Sequence, residues 1–155
     1  MDVIIRGCVE KDYPEILSLI KELASFENSS DKVINTVERM KEEKQYFNAI
    51  VAESPTGEIV GIAVYIFAYY TWVGKSLYLD DLCVKESFRG KKIGTKLLRE
   101  IFNVARRENC KRVRWQVLKW NEPAIDLYKK CGAALDNGWF NCDFDEKAIR
   151  DFDIP

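Results

Sequence analysis

Residues 76–118 set the tightest limit on how this chain can fold. SLYLDDLCV, residues 76–84, is apolar enough to be an inner strand. Directly after it come a basic glycine loop, RGKKIGT, and the strongest amphipathic pattern in the chain. Ile93, Leu97, Leu98, Ile101, Phe102 and Ala105 recur there at helical spacing. Residues 111–118 return to strand character. A strand, a helix and a strand joined so closely predict a parallel crossover, which is right-handed in nearly every known case.

The elements around this unit follow from similar patterns. Residues 3–6 read as a short first strand. Asp12, with Glu15 three residues on, has the form of a capping box, and Pro14 sits in the tolerated first turn. Ile16, Leu19, Ile20, Leu23 and Phe26 then mark a helix. Val33, Ile34, Val37 and Met40 suggest a second, from about residue 31 to 43. Residues 49–53 and 58–68 form a hairpin around the turn Pro55-Thr56-Gly57, and 69–75 read as an aromatic loop. Asn121 is placed to cap a short helix ending near Gly132, and strand character resumes at 139–144. These elements predict one α/β (α+β) domain over residues 1–155.

Composition narrows the chemistry. The 155 residues contain no histidine, which excludes Ser-His-Asp and Cys-His machinery and removes the commonest zinc ligand. The five cysteines include no C-x-x-C pair and read as scattered reduced thiols of a cytoplasmic protein. The net charge of -1 gives no global attraction to nucleic acid or to an anionic membrane. No apolar run is long enough to span a bilayer, and MDVIIRGC lacks the pattern of a secretory signal. Acid–base work therefore falls to carboxylates, tyrosine, lysine or water.

Four features can carry chemistry. Arg89 to Thr95 opens a helix, where unpartnered amides and the helix dipole favour anions. Gly90 and Gly94 permit close approach, and Arg89, Lys91 and Lys92 add charge. The segment is a phosphate or pyrophosphate cradle, or else a solvated basic turn; it is neither a Walker loop nor a dinucleotide fingerprint. Asp80 and Asp81 are adjacent acids in an apolar strand, expected on opposite faces. One can face a cleft and hold an amine, unless both lie at an exposed strand end. Asn121 and Tyr128, seven residues apart, share a face of the late helix. A tyrosine there is either a proton donor to a leaving thiolate or a core aromatic. Phe26, Glu27, Tyr70 and Trp72 add acids and aromatic faces that suit a cationic amine as well as ordinary packing.

Taken together, IKELASFE, YTWVGKSLYLDDL, RGKKIGTKLL and WNEPAIDLYKKCGA resemble the GNAT superfamily of N-acetyltransferases. The resemblance covers nearly the whole chain and is strongest to the spermidine/spermine and thialysine group. It implies a mixed sheet of about six to seven strands flanked by about four helices. It also implies acetyl-CoA as co-substrate, no metal, a small-molecule amine acceptor and a homodimer. Backbone of Leu82, Cys83 and Val84 would pair with pantetheine. Arg89, Gly90, Lys91, Lys92, Ile93, Gly94 and Thr95 would wrap the pyrophosphate. Asn121, Pro123, Ala124, Tyr128 and Lys130 would line the CoA arm. Tyr128 would protonate the leaving thiolate, and Asp80 would take the amine's proton through water. Phe26, Glu27, Tyr70, Trp72, Asp80, Arg114, Trp115 and Gln116 would border the acceptor.

The chain departs from that family at three points. Lys92 stands where glycine is usual. Asp80 replaces a longer glutamate. Tyr70-Thr71 replaces an Asp-Pro pair of polyamine enzymes, which favours a smaller amine such as thialysine or a lysine analogue. The remaining alternatives are a protein N-terminal or lysine acetyltransferase, and a non-catalytic acyl-CoA-binding module.

Overall fold

The computed structural model describes residues 2–154. They form two compact units that divide after Gln116. The first unit is built on a five-stranded sheet in the order β1-β2-β3-β4-β5. Its strands are β1 (Ile4–Gly7), β2 (Asn48–Glu53), β3 (Ile59–Tyr70), β4 (Gly74–Val84) and β5 (Val113–Arg114). Neighbours pair antiparallel except β4 with β5, which pair in parallel, as a crossover requires. The mixed α/β class expected from sequence holds, on a sheet of five strands.

Helices cover both faces of this sheet. On one lie α1 (Tyr13–Phe26) and α2 (Val37–Glu42); on the other lies α3 (Ile93–Arg107). Strand β2 shows the division residue by residue. Ile50 and Ala52 join the α3 cluster, while Ala49 and Val51 join the α1 cluster. A strand buried on both faces must be apolar at every position, which explains its unbroken apolar run. From α3, Ile93, Leu97 and Ile101 are fully buried, each contributing about 1.5–3 kcal/mol. Gly61 on β3 makes room for them. A Cβ there would lie 3.1 Å from Leu97 Cδ1 and 3.3 Å from both Ile93 Cγ2 and the Cys83 carbonyl oxygen.

Several boundaries differ from the sequence reading, each for a local reason. Asp12 precedes α1, but its side chain does not cap that helix. The carboxylate instead accepts from the Val9 amide at 2.8 Å and from Arg6 at 2.7 and 3.1 Å. The second helix shrinks to Val37–Glu42, because Thr36 Oγ1 accepts from the Arg39 amide and starts it there. The aromatic loop contracts to a tight turn. Strands β3 and β4 run on to Tyr70 and Gly74, and the Val73 amide donates to the Tyr70 carbonyl at 3.0 Å.

The second unit holds α4 (Glu122–Lys130) and α5 (Glu146–Arg150). Asn121 occupies the position before α4, with Pro123 in its first turn, but its side chain caps no amide. No strand forms at 139–144. Asp136 folds the chain just before it, accepting from the Gly138 amide and from Trp139 Nε1, both at 2.8 Å. Helix α5, unforeseen in the sequence, starts on Asp145, whose carboxylate accepts from the Ala148 amide at 2.8 Å. All five cysteines are free thiols. Among the described residues no helix is long and apolar enough to cross a membrane.

Candidate active site

The centre of the first unit's polar surface is an irregularity in β4. Val64 of β3 pairs with Asp81, but the next residue, Tyr65, pairs with Leu79. Asp80 is left over as the extra residue of a β-bulge. A bulge breaks strand alternation. Leu77 and Leu79 pack toward α3, whereas Cys83 packs toward α1, although all three have the same parity. Asp81 pairs with Val64, which also lies in the α1 cluster. The expectation that Asp80 and Asp81 simply diverge to opposite faces gives way to this local geometry.

The bulge crowds negative charge. Burial pushes the Asp81 carboxyl up to about 7, and the charges of Asp80 and Glu27 push in the same direction. The Asp80 carboxyl is also raised, by desolvation, although its tip reaches solvent. Glu27 follows directly on the last turn of α1, its amide donating to the Leu23 carbonyl at 3.0 Å. Sequence reasoning weighed Asp81 only as a neighbour of Asp80. The shifted carboxyl depends on the bulge, and nothing in SLYLDDLCV announces a bulge.

Past this point β4 is open along its outer edge. Its parallel pairing with β5 consists of Leu77 with Val113 and Tyr78 with Arg114. Among the described residues, no further ladder joins the two strands, so the backbone of Leu82, Cys83 and Val84 pairs only with β3. The strand expected over 111–118 is correspondingly short. Trp115 turns toward α3, its ring edge-on to Phe102 at 6.3 Å, while Gln116 is exposed.

The loop from Arg89 to Thr95 sits at the end of this open edge. Gly90 adopts φ +75°, and a Cβ built there would meet nothing within 4 Å. Lys92, the residue before α3, holds a left-handed φ of 60° and offers no side-chain cap. That conformation costs a non-glycine residue about 1–2 kcal/mol, and it leaves the first amides of α3 uncapped. Arg89 Nε donates to the Val84 carbonyl at 3.2 Å, and its guanidinium lies 5.9 Å from the Phe26 ring centre. Lys91 Nζ donates to the Ser87 carbonyl at 3.3 Å. Thus α1, the end of β4 and the loop meet through Arg89 and Phe26. An uncapped helix start beside an open glycine and three cations suits a pyrophosphate.

A second charged group lies at β5 and the residue before it. The guanidiniums of Arg112 and Arg114 lie 5.3 and 4.9 Å from the ring centre of Tyr70. Tyr78, level with Arg114 in the ladder, feels Asp80, Tyr70, Arg114 and Asp81 together. Trp72, in the hairpin turn, is 85% exposed. Arg112 and Tyr78 escaped the sequence reading; their spacing on a short strand is an ordinary one.

Asn121, Pro123, Ala124, Tyr128 and Lys130 belong to the second unit, Asn121 at the start of α4 and the others along it. Burial, aided by the neighbouring Cys131 thiol, raises the Tyr128 phenol above its ordinary value.

A family model described as Acetyltransferase (GNAT) family matches residues 13–133. The chain belongs to that family, and it is an N-acetyltransferase. It is 37% identical over 163 residues to a thialysine N-epsilon-acetyltransferase of Sus scrofa, covering 96% of both chains. It is 33% identical to the thialysine N-epsilon-acetyltransferase of Caenorhabditis elegans, covering 93% of both. Among solved structures, an integron cassette protein from the V. cholerae mobile metagenome superimposes with a TM-score of 0.76 at 23% identity. That match covers 97% of this chain and 96% of the other, and attests the fold alone.

Proposed function

We propose that this enzyme transfers the acetyl group of acetyl-CoA to a primary amine of a small cationic acceptor. The observation that carries this reading is the raised carboxyl of Asp81 beside Asp80 and Glu27, where β4 parts from β5. An alkylammonium has a pKa near ~10.4 and must lose its proton before attack, and an ordinary aspartate near ~3.9 is a poor acceptor for it. Proton transfer to a carboxylate near 7 narrows that mismatch by about 4 kcal/mol. The acids also attract the amine electrostatically. Asp80 and Asp81 therefore share the role of proton acceptor, directly or through water.

The remaining assignments follow the site's parts. Leu82, Cys83 and Val84 lie where β4 has no β5 ladder beside it and would pair with the pantetheine amides, with Arg89 on the Val84 carbonyl. Gly90 to Thr95 hold the pyrophosphate, with Arg89, Lys91 and Lys92 supplying charge. Acetyl-CoA contributes a thioester whose carbonyl the amine attacks, and the sulfur leaves as thiolate. The raised phenol of Tyr128 stays protonated at neutral pH and can return a proton to that sulfur. The thialysine relatives favour a small amine over a protein acceptor. A homodimer belongs to the same reading, and the exposed Tyr69 and Trp72 give a second copy an apolar surface.

A turnover screen tests the proposal. The purified protein is given acetyl-CoA with thialysine, lysine, spermidine, spermine and short diamines, and release of free thiol is followed. Amine-dependent release is expected. Release with none of these amines, or only with peptides, rejects it.

A further inference from the structure

Arg112 and Arg114 are two cations without an anion. Neither forms an ion pair or a hydrogen bond with a carboxylate among the described residues, although the chain holds 25 acids. Arg112 directly precedes β5 and Arg114 ends it; two residues apart in extended chain, with the Arg112 carbonyl accepting from the Leu77 amide, they share a face. Tyr70 holds both guanidiniums by cation–π contact, at 5.3 and 4.9 Å. Arg112 and Tyr70 are half-buried and Arg114 is exposed, so the shared ring, rather than burial, positions the pair. Two guanidiniums gathered at one aromatic ring suit a planar carboxylate.

The position of this group relative to the acids gives it meaning. Arg114 is level with Tyr78, and Asp80 lies two residues further along β4. One strand across and two residues along is roughly 8 Å between backbone positions. Tyr78 lies within electrostatic reach of Asp80, Asp81 and Arg114. Neighbouring strands therefore carry negative and positive charge that both reach Tyr78, with aromatic surface between them.

We propose that Arg112 and Arg114, seated on Tyr70, bind a carboxylate of the acceptor while its reacting amine faces Asp80 and Asp81. This deepens the acetyltransferase reading and rests on it. The acceptor is then an amino acid with a side-chain amine and a free carboxylate. A polyamine of similar length meets repulsion, because its second ammonium would face two guanidiniums.

The test compares thialysine with its decarboxylated diamine, which keeps both amines and lacks only the carboxylate. Binding is measured by calorimetry as well as by KM, so the inference is tested even if turnover fails. The unaltered protein should bind the amino acid about ten- to hundredfold more tightly than the diamine, the range for a charge-assisted contact. Arg112→Gln and Arg114→Gln should each shrink that ratio, and the double variant should bring it close to one. Arg114→Lys should restore part of it, which a purely structural role would not show. Equal affinity for the two ligands in the unaltered protein overturns the proposal. So does a ratio that survives in folded double variant. Absence of acetyl transfer with preserved discrimination would instead reject the activity and leave the carboxylate site standing.

Discussion

At the scale of single residues, Asp81 is the informative one. Its carboxyl titrates at about 7 in the folded chain against about 3.9 when unfolded. Between those values the folded form binds the extra proton, so stability falls as pH rises from about 4 to about 7, and is level above that. Asp81→Asn removes the titrating group. The variant should gain stability relative to the parent across that window, by up to about 4 kcal/mol between pH 4 and pH 8. Urea melts at pH 4.5, 6 and 8 check this; parallel curves for the two proteins would contradict the assignment. The same variant should lose acetyl transfer, so stability and activity should move in opposite directions at one position. That pattern separates a working group from a packing one.

At the scale of elements, the contact between α3 and β3 is the most demanding. Gly61→Ala would set a methyl 3.1 Å from Leu97 and 3.3 Å from the Cys83 carbonyl. The Leu97 methyl can shift with α3, but the Cys83 carbonyl lies on the neighbouring strand β4, so the β3–β4 ladder must give as well. A loss of about 1–3 kcal/mol is expected, read as a lower midpoint in thermal melts; an unchanged midpoint would mean the helix is more loosely seated. This helix was legible in the sequence because its apolar positions leave no other periodicity. Helix α2 was not. Val33, Ile34, Val37 and Met40 imitate one helical face, yet Thr36 starts the helix halfway along. The face of the Asp80-Asp81 pair was equally hidden. Alternation is a rule about regular strands, and a bulge changes the count without changing composition. The basic glycine loop at residues 89–95 and the start of α3 after it could be read directly, because charges and glycines act locally. The seat of Arg112 and Arg114 needed three strands in register before Tyr70 came into view.

At the scale of the whole molecule, Arg6 fastens the start of the chain to its middle. It reaches Glu53 at 2.6 Å and holds Asp12 with two nitrogens, so β1, β2 and the entry to α1 share one ion network. Asp12 is 4% exposed. The Arg6 guanidinium holds its carboxyl below the ordinary carboxylate range. Its contribution is therefore present above the unfolded value near ~3.9 and is lost as pH falls through the lower folded value. Asp12→Asn should cost about 1–3 kcal/mol, since it weakens the charge-assisted bonds from Arg6, which keeps only Glu53 as a charged partner. Measured from pH 7 down to 3, the gap between parent and variant should narrow; a constant gap would show that shape rather than charge is at stake. The parting of β4 from β5 also has a consequence for the protein's lifetime. Among the described residues the β4–β5 ladder stops at Tyr78, and the stretch of β4 beyond it can take up an extended chain. A ligand laid along that edge stabilises the folded form by mass action. The amount of this enzyme that survives in a cell should then follow the supply of its acyl donor, with scarcity of the donor thinning the enzyme that spends it.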